Sequence, residues 1–123
     1  MCRYNIRLGN RFQLMALMFL PALVIVGCTS GQKAPAPKSP AQLRGERMYQ
    51  TSCAVCHRTD STAPLNGPGL KGLFDKKFLP SGMPANDERV TVVIRLGRRD
   101  MPGYSQMYDD KQIADIVAYL HTL

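Results

Sequence analysis

The 123-residue chain has no tryptophan, only two histidines and only four cysteines, and no acidic residue stands before Glu46. Each shortage excludes something. Cys2, Cys28, Cys53 and Cys56 are not spread like a disulfide framework, so each needs its own account. There is no second CxxC, and beyond His57 only His121 is left to complete a four-ligand structural zinc site. No alternating strand–helix pattern surrounds the single CxxC, which argues against a thioredoxin-like dithiol. No basic stripe with interleaved aromatics is present, so no nucleic-acid partner is expected. The longest apolar run, Phe12 to Val26, is about fifteen residues, short of the roughly 20 that span a bilayer as a helix. The length allows one domain at most. A hydrophobic content of 45% with a formal net charge of +7 is globular rather than disordered.

What is present begins with the amino-terminal segment. Arg3, Arg7 and Arg11 precede the apolar run, which is the layout of a secretory signal. The run ends in Ile25-Val26-Gly27-Cys28, and this stretch resembles a bacterial lipobox. That resemblance implies cleavage before Cys28 and lipidation of its thiol, with residues 1–27 as a lipoprotein signal peptide. Acyl chains bring about 0.8 kcal/mol per buried CH₂, so two or more hold a small protein stably at a membrane. Loss of the three arginines leaves 13 basic against 9 acidic residues, a net of +4. Residues 28–40, rich in Pro, Ala, Ser and Lys without an aromatic, read as a tether reaching at most about 45 Å.

The remaining pair lies in Cys53-Ala54-Val55-Cys56-His57. C-x-x-C-H is the spacing of covalent haem attachment. Two thiols three apart on a helical turn can each add to a vinyl group along one haem edge, and the next residue turns its imidazole toward the iron. With Cys2 in the discarded segment and Cys28 lipidated, no cysteine is left for a disulfide.

With this motif, residues 41–123 resemble the class I, mono-haem cytochromes c. The resemblance implies an all-α fold in which the first and last helices cross around one covalent haem c. Asn66-Gly67-Pro68-Gly69-Leu70 resembles the family's run after the haem motif. It implies that the Pro68 carbonyl accepts from His57 Nδ1–H, which fixes the tautomer, and that Leu70 packs on the haem. His57 is thereby the proximal iron ligand. Met83, Met101 and Met107 are the candidates for the distal one; Asp100-Met101-Pro102-Gly103-Tyr104 resembles the family's ligand loop and marks Met101. Gly45 and Tyr49 on the first helix, and Ile116 and Tyr119 on the last, take the places where the family's two helices cross.

Three helices are expected. The closing one is legible in the residues: Asp109 and Gln112 form a capping box, and Ile113, Ile116, Val117 and Leu120 share a face. Val90-Thr91-Val92-Val93-Ile94 has strand propensity but no partner strand, so with Asn86 as N-cap it is read as helix, following the family. His121 is expected to face the carboxyl end of the closing helix, where a cation is favoured.

The function expected is transfer of single electrons between redox partners on the outer side of the cytoplasmic membrane, facing the periplasm, without enzymatic catalysis. Lys71, Lys76, Lys77, Arg98 and Arg99 flank the haem loops in the family layout and would meet an acidic surface on an oxidase or dehydrogenase. The alternatives are a five-coordinate haem sensor or peroxidase, and a haem subunit of an oxidase or dehydrogenase complex.

Overall fold

A computed structural model describes residues 36–123. The expected signal peptide at 1–27, Cys28 and most of the expected 28–40 tether lie outside the described residues. Within them, three helices follow in order: α1 Pro40–Ser52, α2 Asp87–Leu96 and α3 Asp110–Leu120. No strand occurs among the described residues, only isolated bridges pairing Phe78 with Pro84 and Arg98 with Met101. The all-α architecture expected from the resemblance is therefore the one found. No helix among the described residues is long and apolar enough to cross a membrane.

Local chemistry sets each helix start. Ser39 and Gln42 form a reciprocal capping box on α1, with Pro40 at the first helical position, where its missing N–H costs nothing. Asn86 Oδ1 accepts from the Arg89 amide at 3.0 Å to begin α2, and Asp87 and Glu88 favour that helix's positive end. The box at Asp109 and Gln112 forms as expected, and all four residues of the apolar face of α3 are buried. Helix also wins over strand propensity at 90–94. Val90 and Ile94, one turn apart, are buried, while Val92 lies on the outer side. The β-branched run serves one helical face and has no ladder to join.

The core lies where α1 crosses α3. Tyr49, Ile113, Ile116, Val117, Tyr119 and Leu120 form it with Leu73, Val90 and Ile94. Gly45 makes the crossing possible, because a Cβ there would sit 1.9 Å from the Asp115 carbonyl oxygen. Tyr49 and Tyr119 meet across it in tilted geometry, ring centroids 5.3 Å apart. One charged group is buried in the crossing. Asp115 receives Arg44 Nε at 2.7 Å and Nη2 at 2.9 Å, a two-pronged pair, and Lys111 Nζ lies 3.4 Å away. The hydrogen bond from Arg44, against the opposing effect of burial, holds the Asp115 carboxyl below the usual carboxylate range.

Candidate haem site

Cys53 caps the carboxyl end of α1, and the chain then turns tightly. The amides of Cys56 and His57 both donate to the Cys53 carbonyl, at 3.0 and 2.9 Å. The turn sets both thiols and the imidazole on a fixed frame at the helix end. Cys53 and Cys56 are free and half-buried. Burial, with Cys56 nearby, pushes the Cys53 thiol up to about 11, so it is held as a neutral thiol at physiological pH.

His57 is held from two sides. Its Nδ1 lies 2.8 Å from the Pro68 carbonyl; a carbonyl only accepts, so Nδ1 carries the proton. In the neutral imidazole Nε2 is then the nitrogen with the free lone pair, and it makes no hydrogen bond among the described residues. Its backbone carbonyl accepts from Tyr49 Oη at 2.6 Å. Burial, and secondarily Cys53, pushes the Tyr49 phenol up to about 12, so this donor keeps its proton across the physiological range. Tyr49 thus connects the helix crossing to the histidine, a link that helix patterning alone does not reveal.

The loop beyond His57 folds back on the turn. The Gly67 amide donates to Cys56 O at 2.8 Å and the Leu70 amide to Arg58 O at 2.7 Å. Gly67 lies so near the imidazole that a Cβ would meet His57 Cε1 at 2.5 Å. Leu70 packs on the core cluster together with Cys53, Ala54 and Met101.

Met101 enters from another loop. Arg98 and Met101 exchange amide–carbonyl bonds, both 3.0 Å, in a tight turn that passes through positive φ at Arg99. Tyr104 then anchors the segment twice: its amide donates to Ile94 O at 2.9 Å, and its hydroxyl to Ser52 O at 3.0 Å, one residue before Cys53. Tyr108 adds a 2.6 Å contact to Ser52 Oγ. Of the other two candidate methionines, Met107 is 63% exposed and accepts from Ser52 Oγ through sulfur at 3.6 Å. Met83 is half-buried and does not pack on the core cluster. His121, the remaining histidine, is the C-cap of α3, pairs with Asp87 at 2.8 Å and stacks on Phe74 at 3.8 Å between centroids.

These residues fit a covalent haem by their donor chemistry: two free thiols at the right spacing, an imidazole whose Nδ1 is occupied and whose Nε2 is not, and a thioether on a second loop packed into the same cluster. Of the Tyr49, Gly67, Tyr104 and Tyr108 supports, Gly67 lies in the family run after the haem motif and Tyr104 in the ligand-loop pattern, whereas the hydrogen bonds of Tyr49 and Tyr108 had no signal in the sequence.

Comparison with known proteins agrees with this chemistry. Residues 40–120 match the family model described as cytochrome C oxidase, cbb3-type, subunit III. A cytochrome c6 of Bryopsis maxima is 31% identical over 78 residues, 62% of this chain and 84% of that protein. A cytochrome c6 of Tetradesmus obliquus is 29% identical over 77 residues, 63% of this chain and 84% of that protein. A cytochrome c6-like protein of Nostoc sp. is 27% identical over 78 residues, 63% of this chain and 67% of that protein. The helices, the CxxCH turn and these matches lead to one family: the chain belongs to the class I cytochromes c, whose cofactor is a covalently bound haem c with its iron.

Proposed function

We propose that the protein is a lipid-anchored electron carrier in which Cys53 and Cys56 bond the haem, His57 is the proximal iron ligand and Met101 the distal one. Haem c, when bound, supplies a one-electron ferric–ferrous couple, and a His/Met pair favours the ferrous form. The protein's own part is to hold both ligands in place. Pro68 fixes the imidazole tautomer, and Tyr49 pins the backbone of His57. The observation that carries the reading is the placement of Met101 on the same cluster as Cys53 and Leu70, while Met107 is turned to solvent. Two protein ligands leave no open iron position, which favours a carrier over a five-coordinate sensor or peroxidase.

The absorption spectrum of the oxidised holoprotein tests this. A methionine–iron charge-transfer band is expected; a high-spin spectrum, or ready binding of carbon monoxide by the wild-type ferrous protein at neutral pH, overturns it.

Lys71, Lys76, Lys77, Arg98 and Arg99 are all exposed, which supports docking to an acidic surface of a redox partner. A second reading, permanent membership in an oxidase or dehydrogenase, draws on the subunit description of the matched family. Co-purification in mild detergent at moderate salt separates them: a bound subunit stays with its complex, and a shuttle does not.

Lipidation at Cys28, with 1–27 removed, 28–40 as tether and 41–123 as the haem domain, places the carrier on the periplasmic side of a membrane. It is supported by the Ile25-Val26-Gly27-Cys28 pattern after a short apolar run. Mass spectrometry of the purified amino terminus is expected to find a modified Cys28; an unmodified terminus on a membrane-bound protein refutes it. Cys28→Ala leaves haem attachment intact.

A further inference from the structure

Among the described residues Arg99 alone, apart from glycines, has positive φ, at 52°. Gly72, Gly82 and Gly97 share that region, which glycine enters freely. In arginine the Cβ crowds the following carbonyl oxygen, so the left-handed backbone is strained. The Arg99 side chain is exposed, and no burial offsets that strain.

The strain sits in the turn that carries Met101. Arg98 and Met101 exchange both amide–carbonyl bonds at 3.0 Å, which leaves Arg99 and Asp100 alone to reverse the chain. Two-residue reversals need positive φ at a central position, which is why glycine and asparagine are common there. The flanks keep the turn shut. A Cβ on Gly97 would lie 2.4 Å from the Met101 carbonyl oxygen, and one on Gly103 would lie 2.7 Å from that of Arg95. The Gly97 amide donates to Val93 O at 2.9 Å. The segment 97–103 is thus laid backbone to backbone on the end of α2, and these contacts hold Arg99 where its own preference would not. Met101 closes the turn with its own amide and carbonyl. The root of its thioether is therefore held only as firmly as the turn itself.

We infer, on the basis of the haem-site reading above, that Arg99 is a positioning residue whose strained backbone loosens the turn and so weakens the hold of Met101 on the iron. The sixth ligand is then one that an added ligand can displace. This role is separate from the charge of Arg99, because the strain lies in the backbone and any side chain with a Cβ carries it.

The test compares covalently loaded wild-type, Arg99→Ala and Arg99→Gly proteins. Alanine removes the charge and keeps the strain; glycine removes both. Hydrogen exchange at the Arg98 and Met101 amides reads opening of the turn. Imidazole added to the ferric protein, followed by loss of the methionine–iron band, reads displacement of Met101. Arg99→Ala is expected to match the wild type in both. In Arg99→Gly, release of strain outweighs the freedom that glycine gives the opened turn. Exchange at the two amides should slow by about fivefold, and about fivefold more imidazole should be needed. Equal exchange in the Gly and Ala variants shows that the turn is not strained and overturns the proposal. Slower exchange in Arg99→Gly with unchanged imidazole binding shows that the turn does not govern Met101 and overturns it too. So does an Ala variant that reproduces the Gly result, since charge is then the cause. The haem-site reading fails differently, through a wild-type spectrum without the methionine band, whereas the exchange comparison still reports on the turn.

Discussion

The crossing of α1 over α3 and the three loops that flank it are closed by different means. At the crossing, backbone meets backbone over Gly45, and fully buried Tyr49, Ile113 and Ile116 fill the space. In the loops at 57–70, 78–84 and 97–108, no large apolar side chain is fully buried. Amide and phenol hydrogen bonds hold the chain: Tyr49 to His57, Tyr104 to Ser52, Leu79 to Met83. The crossing supplies its own interior, whereas the CxxCH turn and the loops present half-buried groups, Cys53, Cys56, Leu70 and Met101, which under the proposed function gain neighbours when the haem is bound. Scaffold stability and site chemistry are thus assigned to separate parts of one small domain, and a substitution in either should leave a different signature.

The largest effect is expected at Gly45. A methyl group would overlap the Asp115 carbonyl, a backbone atom that cannot turn aside. Gly45→Ala should force α1 and α3 apart and cost about 3 kcal/mol or more, at the upper end for overpacked cores. Thermal or denaturant unfolding of the holoprotein checks this. A stability loss with an unchanged methionine band would confirm that crossing and site are separable; simultaneous loss of the band would show that they are not.

Next comes Met101. Met101→Ala should lower the reduction potential and open the ferrous iron to carbon monoxide, with a far smaller effect on unfolding than Gly45→Ala. Met83→Ala and Met107→Ala serve as controls that keep the band. If Met101→Ala keeps six-coordinate iron without added ligand while one of the others opens it, the distal ligand is the other methionine.

The same division explains what could be read from residues alone. α3 was legible because its caps and its 113, 116, 117, 120 face obey local rules that tertiary context did not override. The CxxCH turn was legible because its chemistry is packed into five consecutive residues. The helix at 87–96 was not legible from propensity: five β-branched residues speak for a strand, and the absence of a partner and the family resemblance decided it. Asp115 escaped notice as a buried group because its two-pronged partner, Arg44, lies 71 residues earlier. The phenol bond of Tyr104 to Ser52 escaped for the same reason, and that of Tyr49 to His57, though only eight residues long, needs the turn at the end of α1 to bring the two together. Each depends on a partner supplied by the fold, and sequence spacing does not encode such distances.

Asp115 gives a smaller test. Its folded carboxyl titrates below the ordinary range, chiefly through the hydrogen bond from Arg44. A group with a depressed folded pKa adds stability that is fully present above its unfolded value, in the ordinary carboxyl range, and is lost as pH falls through the lower folded value. Wild-type stability should therefore drop in this acid window more steeply than that of Asp115→Asn, and the two curves should converge at the lowest pH. Arg44→Ala should be less stable than the wild type at neutral pH, because the carboxylate stays buried without its main partner. Equal acid slopes for wild type and Asp115→Asn would show that other carboxyls dominate.

The smallest effect is expected at the far end of α3, where His121 joins α2. Its Nε2 lies 2.8 Å from Asp87 Oδ1, and its ring stacks on Phe74, centroids 3.8 Å apart with planes 10° from parallel. Both members of this contact, an ion pair only when the imidazole is protonated, are substantially exposed, His121 at 44% and Asp87 at 66% of their side-chain surface. Exposed pairs are worth about 0–1 kcal/mol and weaken with salt. The ring stack does not depend on charge and survives salt. His121→Ala removes both contributions, whereas Asp87→Asn removes the charge pairing and keeps the stack. In low salt His121→Ala should therefore be the more destabilised, though by no more than about 1–2 kcal/mol. In high salt Asp87→Asn should approach the wild type while His121→Ala stays below it. Denaturant unfolding at two ionic strengths separates these outcomes. If His121→Ala also converges on the wild type at high salt, the stack contributes nothing and charge alone carries the contact at this corner. If either variant shifts the reduction potential, this corner is coupled to the haem loops, and the separation between crossing and site is weaker than the geometry implies.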